Sequence, residues 1–237
     1  MSFVISKLSH SVGSITLNHP EKHNCLNPAM ISDMLSAYRD AEKNDAVKVI
    51  LLSANGKNFC SGADVAHMKK MGEVSNAENL SDAKAFVAFF HAIYRCKKPT
   101  ICYVHGKVLG GGIGLMAAHD IVVATEDVEF SFPEVKIGLM PATIAPFVVQ
   151  RMGFQQARRY MLSTEFFSSK RACDIGLVDM IGDYAAAEKY AMQLSENGLP
   201  AMKNTKAWLQ ELCPISPDQL NRAAEFLAEQ RASKIMR

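Results

Sequence analysis

Two glycine-centred stretches, Phe59-Cys60-Ser61-Gly62-Ala63-Asp64 and Leu109-Gly110-Gly111-Gly112-Ile113-Gly114, each set a backbone N–H beside a turn or the start of a helix. Two such donors aimed at one point form an oxyanion hole. In a water-poor site each preorganised donor lowers the barrier to charge build-up on a carbonyl oxygen by roughly 3 kcal/mol. The second stretch runs from a strand into an apolar helix, where the first-turn N–H groups and the helix dipole favour an anion. Each motif also has an ordinary alternative. Ser61-Gly62-Ala63-Asp64 is a common turn, and three glycines suit close helix-to-strand packing. A dinucleotide-type phosphate loop fits less well, since no Gly-x-Gly-x-x-Gly follows an early strand and no Walker lysine is present.

A third feature is Glu134, in Phe132-Pro133-Glu134-Val135-Lys136, directly after a short strand and before Ile137-Gly138-Leu139. A carboxylate set between apolar segments is open to desolvation, which raises its pKa and suits it to proton transfer near neutrality. The alternative is an exposed loop acid. His105 could line a pocket, although a loop-stabilising role accounts for it as well. His119 and Asp120 read as packing and capping residues, and Trp208 as core. Met68 and Met71 have the adaptable side chains that shape a pocket or pack a helix.

The elements that must carry these groups can be read from hydrophobic periodicity. Phe3 to Lys7 and Val12 to Leu17 form a hairpin around a turn near Ser11 to Gly13. Asn27 caps a helix that starts at Pro28 and keeps Ile31, Met34, Leu35 and Tyr38 on one face. Val47 to Ser53, Thr100 to Val104 and Ile121 to Ala124 are strands of the type buried on both faces of a parallel sheet. Helices near Leu80 to Arg95 and Gly111 to His119 fall between them, giving an α/β layered fold. Beyond Pro141 helices dominate, over Phe154 to Leu162, Ser169 to Ile175, Ala185 to Glu196, Ala201 to Leu212 and from Ser216 onward. The last begins with the capping box Ser216-Pro217-Asp218-Gln219, places Leu220, Ala223, Ala224 and Leu227 on one face, and shows no stop signal at its end. The polar stretch Met71 to Ser81 is expected to be a mobile loop.

With 237 residues, 49% of them hydrophobic, the chain can bury a sizeable core as one domain with a helical appendage. A net charge of +2 with scattered Lys and Arg provides no stripe for nucleic acid. The longest apolar runs fall far below the roughly 20 residues of a membrane span. The N-terminus has no signal-peptide pattern, so a cytoplasmic protein is expected. Cys25, Cys60, Cys96, Cys102, Cys173 and Cys213 lack metal-binding or disulfide spacing and are expected to be reduced core thiols.

Taken in order, these landmarks resemble the crotonase superfamily, the enoyl-CoA hydratase/isomerase family, over essentially the whole chain. Asn18-His19-Pro20-Glu21-Lys22-His23-Asn24-Cys25-Leu26-Asn27 is similar to that family's Asn-Arg-Pro-Glu-Lys-x-Asn-Ala-Leu-Asn opening. Phe59 to Asp64, the glycine run, His119-Asp120-Ile121, Pro133-Glu134 and Ile175-Gly176-Leu177-Val178 match in sequence order. The resemblance implies a ββα spiral core, over residues 1–182, and a helical C-terminal region, over 183–237, that mediates trimers and often hexamers. It implies an acyl-CoA thioester as substrate, with coenzyme A part of that substrate and no separate cofactor or metal. The amides of Ala63 and Gly111 would be the oxyanion donors and Glu134 the acid or base. Lys22, His23, Cys25, Ser61, Asp64, Val65 and Gly110 would line the bound thioester, with Lys22 or His23 at a phosphate. Family chains commonly run further, so the resemblance also implies a clipped C-terminal helix.

One position departs from the family pattern. Hydratases commonly carry a second glutamate after the glycine run, where this chain has Gly114. The segment Glu134 to Pro146, with Gly-Gly-Gly-Ile-Gly-Leu-Met, is similar to the bacterial methylglutaconyl-CoA hydratase branch, in which the missing acid is a subgroup trait. There Glu134 would act with water, placed by a polar neighbour such as Thr143 or by a substrate carboxylate. The leading expectation is a hydratase that adds water across the 2,3 double bond. An isomerase using Glu134 as proton shuttle is the alternative, followed by a decarboxylase and by a non-catalytic acyl-CoA-binding scaffold.

Overall fold

Alternating apolar residues and a tight turn make the first element a hairpin. In the computed structural model, which describes residues 3–233, β1 (Val4–Ser9) pairs antiparallel with β2 (Val12–Leu17). His10 and Ser11 make the turn with positive φ, one step earlier than expected. Asn27 accepts the Met30 N–H and starts α1 (Pro28–Lys43), which buries Met30, Met34 and Tyr38.

The unbroken apolar run then forms β3 (Val49–Ala54), buried along five of its six residues. α2 (Val65–Met71) and α3 (Asn76–Tyr94) follow, and then β4 (Thr100–Val104), β5 (Lys107–Leu109), α4 (Gly111–Ala117), β6 (Ile121–Ala124) and β7 (Glu129–Ser131). A 3-10 turn over Glu134–Ile137 leads to α5 (Ala145–Ser163), which breaks at Gly153. The rest is β8 (Phe167–Ser168), α6 (Ser169–Asp174), β9 (Met180–Ile181), α7 (Tyr184–Ser195), α8 (Leu199–Leu212) and α9 (Pro217–Ala232).

The strands form two sheets. The larger has the order β1-β2-β3-β4-β6-β9, parallel except for the opening hairpin. The smaller has the order β5-β7-β8, with β5 and β7 parallel. Alternation along β3 divides the core. Ile50 and Leu52 face the main cluster, whereas Val49 and Leu51 face the opposite side, where Ala187 and Ala191 of α7 cover them. This is the α/β crotonase-like architecture, a mixed sheet core with C-terminal helices.

Several expectations need correction. Met71 to Ser81 is not a loop: Ser75 and Glu78 form a capping box that starts α3 at Asn76, leaving residues 72–75 as the connection between helices. Trp208 is not core but lies on a face of α8 that buries no residue. The helix expected from Phe154 extends back to Ala145, ahead of the Gly153 break. All six cysteines are free, and Cys25, Cys60, Cys96 and Cys102 are buried, but Cys173 is half-buried and Cys213 exposed. The absent stop signal lies partly in residues 234–237, outside the described residues.

Candidate active site

The parallel pairing of β5 with β7 is what brings the glycine run to Glu134. In this register Leu109 lies opposite Ser131, so the chain leaves both strands on the same side of the sheet, toward Gly110-Gly111 and Pro133-Glu134. Gly110 N–H donates to Ser131 O at 3.0 Å across this exit. A β-carbon placed on Gly110 would lie 2.5 Å from Glu134 Oε1, which measures how closely the carboxyl sits against the turn.

The first motif is fastened to the same place. Leu109 N–H donates to Cys60 O at 3.0 Å, and Cys60 bridges Val108. Leu26 N–H donates to Gly62 O at 2.8 Å and Asp64 N–H to Leu26 O at 3.1 Å, so Ala63 pairs with Leu26. Gly62 has φ +93°, and a β-carbon there would lie 2.9 Å from Leu109 O and 3.3 Å from Gly111 N. One on Gly111 would lie 3.3 Å from Ala63 N. The two amides are neighbours, and neither N–H donates to a protein group among the described residues. The Gly111 amide opens α4, where intrahelical bonding leaves the first N–H groups unused.

Ala63, Gly110, Gly111, Glu134, Ser61, Val65 and Thr143 all border one cavity of about 80 Å³. Its remaining wall is apolar and includes Met68, Phe86, Ile137, Leu139, Ile144 and Leu227. Glu134 is half-buried as a residue, but its Oε2 is buried with no partner. Burial pushes its pKa from 4.5 up to about 7. A carboxyl in this state exchanges a proton readily near neutrality.

Other expected site residues lie elsewhere. Lys22, His23 and Cys25 are outside the cavity wall, in the segment that Ser61 N–H ties down by donating to His23 O at 3.0 Å. Lys22 and His23 are exposed. Cys25 is buried, with Sγ 3.9 Å from Asp64 Oδ2, and burial raises its pKa. Asp64 caps α2 by accepting the His67 N–H. Met71 and His105 do not border the cavity, and His105 Nε2 pairs with Gly56 O instead. His119 packs as expected, 2.6 Å from the Tyr38 hydroxyl, its pKa lowered by burial to about 3.

Sequence reasoning missed Phe86, Ile144 and Leu227 as wall residues. Leu227 arrives on α9, which is held over the site by Asn79 Nδ2 donating to Ala228 O at 2.8 Å and by Arg231 pairing with Asp82 at 2.7 Å. No local pattern reveals that a helix so distant in sequence will cover the cavity.

Comparisons with known proteins agree with this architecture. The family model described as Enoyl-CoA hydratase/isomerase matches residues 7–233. The crystal structure of an enoyl-CoA hydratase from Shewanella pealeana superposes with a TM-score of 0.85 at 34% identity, covering 98% of this chain and 89% of that one. The 2,3-dehydroadipyl-CoA hydratase of Escherichia coli is 30% identical over 82% of this chain and 75% of its own length. An enoyl-CoA isomerase/hydratase of Mycosarcoma maydis is 28% identical over 79% of this chain and 71% of its own. With a match that takes in both glycine motifs, Glu134 and the helices that follow, the chain belongs to the enoyl-CoA hydratase/isomerase family.

Proposed function

We propose that this enzyme adds water across the 2,3 double bond of an acyl-CoA thioester. The Ala63 and Gly111 N–H groups hold the thioester oxygen as it takes on enolate charge, and Glu134 carries the proton. The observation that carries this reading is that Ala63, Gly111 and Glu134 border a single largely apolar cavity, while the two amides and the Glu134 Oε2 lack protein partners among the described residues. Excluding water from its walls strengthens each interaction with developing charge. The nucleotide and pantetheine of the substrate run along Lys22, His23, Cys25, Ser61, Asp64 and Val65, with Lys22 or His23 at a phosphate. A cytoplasmic reaction is part of this proposal. Among the described residues no helix is long and apolar enough to cross a membrane.

A second reading, double-bond migration with Glu134 as shuttle, is favoured by the wall itself, in which Glu134 is the sole carboxylate among the described residues. A panel of crotonyl-CoA, methylglutaconyl-CoA and a 3-enoyl-CoA decides between them. Loss of conjugated-thioester absorbance with a mass gain of one water supports hydration. Conversion of the 3-enoyl substrate alone, at constant mass, supports isomerisation. Binding of CoA thioesters without turnover leaves the scaffold reading.

The same proposal includes a homotrimer or hexamer. α8 buries no residue, and its Trp208, Leu209 and Leu212 are 59%, 58% and 61% exposed, an apolar face suited to a second copy. Light scattering is expected to give a trimer or hexamer for the wild type and a smaller species for the double variant Trp208→Glu, Leu212→Glu. A monomeric wild type would remove this assembly.

A further inference from the structure

Among the described residues the cavity wall has one carboxylate, and the fold explains why position 114 supplies no second. A β-carbon added to Gly114 would lie 2.6 Å from Ile144 Cβ, nearer still to Ile144 Cγ2, and 3.4 Å from Phe90 Cε1. A side chain at 114 therefore has nowhere to go, because Ile144, 1% exposed, occupies the space. Ile144 directly follows Thr143, and the turn is pinned on both sides: Ala145 N–H donates to Pro141 O at 3.0 Å, and Val148 N–H to Ile144 O at 3.1 Å. The same turn that seats Ile144 against α4 sets Thr143 in the cavity wall. Thr143 is 7% exposed, and its hydroxyl has no protein partner among the described residues. Glu134 Oε2 has none either. Both residues border the same small cavity, and a water entering it would supply the partner that each group lacks.

We infer that Thr143 Oγ1 and Glu134 Oε2 together seat the water that is added to the substrate, with the Gly114–Ile144 contact holding Thr143 in place. This rests on the hydratase reading above. Thr143 is a positioning residue, taking over the orienting part of an absent second acid. In the step, the Glu134 carboxylate accepts one proton from the seated water as the water oxygen bonds to C3. The C2–C3 π pair shifts to form the enolate, whose charge rests on the thioester oxygen. The enolate then takes the proton from Glu134 at C2, which restores the carboxylate and completes the addition of one water. The Thr143 hydroxyl keeps its proton throughout.

The test compares two reactions of the same enzyme: hydration of the best 2-enoyl-CoA, and exchange of the C2 proton of butyryl-CoA in D₂O, which needs enolate formation but no added water. Thr143→Val is expected to lower the ratio of hydration to exchange by roughly 10- to 100-fold, the scale of a misplaced reactant, through kcat rather than KM. Thr143→Ser is expected to restore the ratio to within about threefold. Gly114→Ala, which pushes Ile144 and the turn outward, is expected to lower the same ratio and serves if Thr143→Val fails to fold. An unchanged ratio in the folded variants, or an equal fall in both reactions, overturns the inference while leaving the hydratase reading intact. A wild type that exchanges the C2 proton but hydrates no 2-enoyl-CoA overturns both.

Discussion

Glu134→Gln is expected to lower turnover by about 10²- to 10⁴-fold, the range contributed by a positioned general acid or base, with little change in thioester binding. The amide keeps the shape of the side chain in its place beside Gly110 but cannot carry the proton. Since burial holds the carboxyl near pH 7 and hydration needs it charged, wild-type kcat/KM is expected to rise with pH through about 7 and then level. The residual activity of Glu134→Gln is expected to lack that step. Stability provides an independent readout with the opposite sign. The folded pKa is raised from 4.5 to about 7, so below 4.5 the group is protonated in both states and imposes no penalty. Between the two values the unfolded chain releases its proton first, and wild-type stability falls by about 1.4 kcal/mol per pH unit. Above 7 the loss is constant at about 3 kcal/mol, an upper figure for one buried group. Urea midpoints should therefore agree for wild type and Glu134→Gln near pH 4.5, and favour the variant at pH 8. A variant that retained full turnover would refute the role given to Glu134, and equal midpoints at both pH values would show that the carboxyl is not held uncharged by burial.

Residues with a local physical signature were legible before the fold was known. Glycines where the chain turns sharply, a carboxylate between apolar segments and the continuous apolar run of β3 each announce their environment in a short window. Short strands ahead of the glycine run and of Glu134 could be read, but their pairing into a second sheet and β8 could not, because strands of two or three residues are too short to show a period of two. The start of α3 was hidden in a polar run, although Ser75 and Glu78 form a capping box. Trp208 was misplaced because hydrophobicity alone does not distinguish a face turned to the core from one turned outward. The pairing of Gly114 with Ile144 is a tertiary match between α4 and the turn before α5. Sequence could register the absent acid but not the side chain that fills its place.

Gly62→Ala is expected to reduce turnover by at least about 100-fold, because it acts on both amides at once. At φ +93° an alanine is strained by about 1–2 kcal/mol, and its β-carbon would press on Leu109 O at 2.9 Å and Gly111 N at 3.3 Å. These atoms belong to backbone held by the Leu109–Cys60 and Gly110–Ser131 hydrogen bonds, so they can yield only by moving the turn that presents the Gly111 N–H. Removing one oxyanion donor costs about 10²- to 10³-fold, and a spread between two donors weakens each in the same way. Gly153→Ala separates this geometric effect from backbone strain. Gly153 has φ +75°, but an added β-carbon there meets nothing within 4 Å. Both variants should lose thermal stability, while only Gly62→Ala should lose activity per folded molecule. Parallel activity losses in the two would mean that general loosening, rather than the spacing of the Ala63 and Gly111 amides, controls the rate.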